Sequence, residues 1–150
     1  MASFERNIRR FLLGLFGLGL IAATVELTLL EHTEPGVQRI PLFAIAAAAV
    51  AALAAAVRPG RLVLRGFQLV GIGLIVVAGL GVYLHYQANA EFELEMDPAL
   101  HGRELFTEAL HGAMPALAPA IMVHLGLLAL AYTYRHPALR RDDIDEERTP

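Results

Sequence analysis

IPLFAIAAAAVAALAAAVRPGRLVLRGFQLVGIGLIVVAGLGVYLHY, residues 40–86, contains two apolar runs separated by eight residues that carry three arginines. Ile40–Val57 has ten alanines and no charge, and 66–86 is equally free of acids and permanent cations. Uninterrupted apolar runs of about 18 residues or more are candidate membrane spans. Residues 58–61, RPGR, leave room only for a tight turn, so the two spans are expected as antiparallel neighbours.

Two more runs extend the pattern outward, Phe11–Leu30 before it and 113–134 after it. Each suffices to cross about 30 Å of hydrocarbon at about 1.5 Å per residue. Lipid offers the backbone no hydrogen bonds, and the alternation a barrel needs is absent, so the spans are expected to be helices. The predicted fold is an all-α integral membrane protein, an up-down bundle of four transmembrane helices with a short amphipathic extracytoplasmic helix. Spans are placed at about 11–30, 40–57, 66–86 and 113–134, with an outer cap over 87–112. The membrane domain covers 1–136, and the polar segment 137–150 is expected to be a disordered cytoplasmic tail.

Composition agrees. Of 150 residues 56% are hydrophobic and 18% charged, with mean hydropathy +0.52, too apolar for an ordinary soluble domain. The chain has no cysteine, which excludes disulfides and thiolate ligands or nucleophiles. It has no lysine either, and with its many Ala, Gly and Leu residues this suggests a GC-rich bacterial source.

The arginines set the orientation. Arg6, Arg9 and Arg10 precede the first span; Arg58, Arg61 and Arg65 join the second and third; Arg135, Arg140, Arg141 and Arg148 follow the fourth. Ten therefore lie on one side, against Arg39 and Arg103 on the other. Arginine-rich loops stay in the cytoplasm, so both termini are expected inside a plasma (inner) membrane. Arg9-Arg10 before an apolar run also resembles a signal peptide, but the run is long for one and no small-x-small site precedes Glu26, so a retained helix is expected.

Ionisable groups inside a span are costly and each is a functional candidate. Glu26 shares a helical face with Gly19, Ala22 and Ala23, and is expected to point into the bundle. His124 sits mid-span, five residues after Pro119, whose missing N–H leaves the Pro115 carbonyl without its helical donor. His85 lies near the outer end of the third span, on a stripe with Ala78 and Gly81. The two imidazoles differ in depth by about 10–14 Å, so a bis-histidine haem is not expected. A Glu26–His124 hydrogen bond is the expected arrangement.

The outer cap concentrates acid. Residues 91–112, EFELEMDPALHGRELFTEALHG, hold six carboxylates and two histidines against one arginine. EFELEM alternates like a strand, but a lone strand has no sheet to join, so the third helix is expected to continue to about Asp97. Asp97-Pro98 reads as a helix start. A helix over 98–111 puts His101, Glu104, Glu108 and His111 on one polar face. Carboxylate and imidazole donors in that pattern suit a divalent metal, with Glu31 or His32 from the first outer connector completing a shell. The competing reading is a solvated face of a helix lying on the membrane surface.

There is no phosphate-binding glycine motif, HExxH, GxSxG or basic nucleic-acid patch, and Ser3 is the only serine. With no complete catalytic set, the expected function is a non-enzymatic structural or accessory subunit, associating with lipid and with a membrane-protein partner or a second copy. Divalent-metal binding or cation handling at the outer face is the first alternative. A membrane redox or proton-transfer protein using Glu26, His85 and His124 is the second.

Overall fold

The computed structural model describes residues 2–30, 36–115 and 118–140. Six helices follow in order: α1 (Ala2–Leu29), α2 (Ile40–Val57), α3 (Arg61–Met96), α4 (Gly102–His111), α5 (Ile121–Thr133) and α6 (Pro137–Arg140). Single 3₁₀ turns, Val37–Arg39 and Ala118–Ala120, lead into α2 and α5. No strand occurs among the described residues. The protein is an all-α helical bundle of membrane type: α1, α2 and α3 are each long and apolar enough to cross a bilayer, and Ala118–Thr133 forms a shorter apolar helix.

Sequential helices are spatial neighbours. α1 packs on α2 and α5, and α3 packs on α2, α5 and α4, which closes an up-down ring of four long elements with α4 set against the C-terminal part of α3. The α2–α3 turn is Arg58-Pro59-Gly60, and the Arg58 and Gly60 N–H groups donate to Ala54 and Arg58 carbonyls. Proline and glycine here end one helix and release the chain into the next.

Lipid is as apolar as the side chains, so contact quality rather than water exclusion holds such helices together. At the tightest point Gly71 on α3 meets Gly126 on α5: a Cβ at Gly126 would lie 2.5 Å from the Gly71 oxygen. Toward the arginine-bearing end the core is aromatic. Phe16 and Phe67 meet edge-on at 5.1 Å, and Phe67 and Tyr132 at 5.7 Å. Such pairs contribute about 0.5–1.5 kcal/mol each beyond their area. Tyr132 is buried and its hydroxyl donates to the Ala55 carbonyl at 3.3 Å, so it is a core residue rather than an interfacial anchor. Tyr134 is exposed. The outward faces of α1, α2 and α3 remain apolar, as a lipid-facing surface requires.

Several boundaries differ from expectation. α1 begins at Ala2, well before Phe11. The fourth helix begins with the turn at Ala118 rather than at 113, because Pro115 disfavours helix in the residue before it and the Pro119 ring clashes with the carbonyl four residues back. The cap helix begins at Gly102, not at Pro98. Asp97 instead folds an Asx turn, its Oδ1 accepting from the Ala99 N–H at 2.9 Å, and Gly102 turns the chain with φ of +57°. Of the segment assigned to the tail, Pro137–Arg140 forms one helical turn and 141–150 lies outside the described residues.

Candidate functional site

At the end of the bundle away from the arginine cluster, α1, α3 and α5 line a small cavity of about 70 Å³ whose walls include Glu26, His85, Gly81 and Pro119. Its shape follows from the late start of the fourth helix. Gly81 lets α3 approach Pro119 so closely that a Cβ there would lie 2.7 Å from the proline Cβ. The Pro115 carbonyl, deprived of its helical donor by Pro119, accepts the Ala118 N–H at 3.0 Å and His85 Nδ1–H at 3.2 Å. A carbonyl only accepts, so this bond fixes Nδ1 as the protonated nitrogen. Half-buried His85 thus ties α3 to the proline break.

Glu26 reaches this cavity from α1 but remains exposed at its rim. The buried stripe of α1 is Phe16, Leu20 and Ala23, so Glu26 sits on its shoulder and Ala22 faces out. His124 is not its partner. α5 buries Met122, Leu125, Gly126 and Ala129, which turns His124 to the outer surface, where Nδ1–H bonds the Ala120 carbonyl at 3.3 Å. The expected Glu26–His124 hydrogen bond is therefore absent. The close Gly126 approach dictates the rotation of α5, and the imidazole falls on the opposite side.

The cap is fastened by Asn89, near the far end of α3. Asn89, 1% exposed, donates through Nδ2 to the carbonyls of Ala109 (2.9 Å) and Met114 (2.7 Å), and its Oδ1 accepts the Met114 N–H at 3.0 Å. Gly112 makes this possible, since a Cβ there would come within 2.6 Å of Asn89 Cγ. Ala109 is buried beneath, and Tyr86 and Phe106 meet at 5.7 Å. α4 therefore rests on the extension of α3, with its chain returning to the level of Asn89. An amide four residues after His85, on the same helical face, was the available signal.

The proposed metal ligands do not gather. His101 and His111 each turn Nδ1–H onto a nearby carbonyl, Ala99 at 2.8 Å and Thr107 at 2.9 Å, and Glu104 and Glu108 are exposed. Among the described residues no group of three or more His, Asp and Glu side chains is placed to hold a metal ion. Glu31 and His32 lie outside the described residues.

At the opposite end Arg9 reaches across from α1 to the end of α5. Its guanidinium donates to the carbonyls of Tyr132, Tyr134 (3.1 Å) and Arg135 (3.3 Å). These are groups a helix end leaves unpaired, and a cation there also meets the negative end of the helix dipole. Arg135 is held at φ of +47°, and His136 Nδ1 accepts the Ala138 N–H at 3.2 Å. Burial first, and then the Arg9 charge, push the His136 imidazole below its ordinary range. Comparison with protein-family models, curated proteins and solved structures finds no match to this chain.

Proposed function

We propose that this chain is a non-enzymatic structural or accessory subunit of a bacterial inner membrane, with both termini cytoplasmic and an acidic outer cap that engages a membrane-protein partner. The distribution of arginines supports the orientation, ten against two across the bundle. One observation carries the rest. Phe92, Met96 and Phe106 are exposed on the stretch of α3 and α4 beyond the expected bilayer, on a cap that Asn89 holds rigid. Large apolar side chains in water, set among Glu91, Glu95, Glu104 and Glu108, suit a protein interface rather than a solvated face.

Cross-linking in intact membranes tests this. The wild-type chain is expected to give a discrete higher-mass species that Phe92→Glu/Met96→Glu removes, while the cap keeps its protection from proteolysis. Recovery of the single chain alone from wild-type membranes would refute the reading.

The shared cavity of Glu26 and His85 supports a second reading, proton or cation handling near the outer face. Glu26→Gln in reconstituted vesicles would then reduce proton or cation flux. Vesicles that carry no flux above the protein-free level would dismiss it.

A further inference from the structure

At the arginine-bearing end, an open groove of about 490 Å³ runs between α1, the end of α2 and the end of α5. Arg6, Arg9 and Arg10 line its mouth, and no carboxylate does among the described residues. Arg9 is committed to the carbonyls at the end of α5. Arg6 and Arg10 are exposed, and among the described residues neither has a hydrogen-bond or ion-pair partner. They stand at i and i+4, one turn apart on one face, where like charges repel unless an anion lies between them. Along the helices the lining turns apolar, with Leu13, Gly14, Ala55 and Ala56, and a Cβ at Gly14 would meet nothing within 4 Å. A two-part groove results, cationic at one end and apolar along the other, at the level where three helices end.

We propose that this groove binds one anionic phospholipid, its phosphate held between the Arg6 and Arg10 guanidinium groups and an acyl chain lying along Leu13, Gly14 and Ala55. Guanidinium forks match phosphate oxygens in geometry and charge. The volume lies within the about 300–1,000 Å³ of small-ligand clefts. Basic pockets between helices at the membrane surface bind acidic headgroups for the same reason. The proposal depends on neither the outer cap nor its partner, so it stands or falls separately from the functional reading above.

The test follows thermal unfolding of the full chain in detergent during titration with short-chain phosphatidylglycerol, short-chain phosphatidylcholine or inorganic phosphate. Each arginine is expected to contribute about fivefold, so the wild type should prefer phosphatidylglycerol over phosphatidylcholine by roughly 25-fold, saturably. Arg6→Gln/Arg10→Gln should lose most of that preference. Gly14→Leu keeps every charge, fills the apolar part of the groove and should weaken phosphatidylglycerol alone, which preserves the test if the double variant fails to fold. Equal responses to phosphatidylglycerol and phosphatidylcholine would overturn the proposal, as would an unchanged phosphatidylglycerol affinity in Gly14→Leu. Inorganic phosphate stabilising as well as the lipid would overturn it in favour of a free-anion site. So would a lipid response seen only after removal of residues 141–150, which would give the groove to the acidic tail.

Discussion

Replacing Asn89 by alanine should release the cap without dissolving the bundle. The side chain is buried and makes three hydrogen bonds, one to Ala109 and two to Met114. A net contribution of about 1 kcal/mol per bond would total about 3 kcal/mol, and partial water access at Met114 lowers this to about 2–3 kcal/mol. The loss is local because the hydrogen bonds of Asn89 join α4 and the following loop to α3. Amides over residues 102–111 should exchange hydrogen roughly 30- to 150-fold faster, while those of α1, α2 and the core of α3 keep their protection. Hydrogen-exchange mass spectrometry in lipid nanodiscs reads both regions at once. Gly112→Ala is an independent route to the same state, since its Cβ would lie 2.6 Å from Asn89 Cγ. Unaltered exchange in 102–111 for both variants, or equal loss across all helices, would refute the account of Asn89 as the cap's fastening.

Gly126→Ala should destabilise the bundle by about 1–3 kcal/mol in detergent unfolding, because the new methyl meets the Gly71 carbonyl and the Ile75 side chain; Gly73→Ala, with open space around its Cβ, should cause no such loss. Arg135→Gly should stabilise by about 0.5–1 kcal/mol, since glycine adopts the φ of +47° without steric cost, and an unchanged unfolding midpoint would argue against strain there. His136 should make the fold acid-sensitive. Its folded imidazole resists protonation through burial and Arg9, whereas the unfolded one titrates near the ordinary value of about 6.5. Stability should therefore decline as pH falls from about 6.5 through the lowered folded value, and this group should have no effect well above about 6.5. His136→Gln should remove that portion of the slope when midpoints are compared between pH 5 and 8.

The membrane class, the helix pairing around RPGR and the continuation of α3 to Met96 were all legible in the sequence. Hydrophobic run length and the lack of a sheet partner for EFELEM suffice for those. Helix rotation was harder. α5 is apolar on every side, so nothing in its pattern marks an inward face, and only the packing of Gly126 against Gly71 turns His124 outward. Glu26 and His85 share a cavity because Pro119 shortens a neighbouring helix, a consequence visible only once three helices are assembled. Asn89 and Arg9 escaped for a related reason. Each bonds to backbone carbonyls distant in the chain, and main-chain acceptors leave no mark in the sequence. Periodicity put His101, Glu104, Glu108 and His111 on one face of a helix from Pro98, but α4 starts later than Asp97-Pro98 suggested, which leaves His101 at its N-cap and off that face.

α3 runs unbroken through 36 residues, about 54 Å, whereas the hydrocarbon layer is only about 30 Å thick. It is therefore a shaft whose far end bears the cap at a set height. From the Gly71 pivot to Met96 the lever arm is about 37 Å, so a tilt of about 10° there would sweep the tip by about 6 Å. With Asn89 locking the cap to this shaft, small changes in packing within the bilayer would be magnified into displacement of the acidic surface outside it.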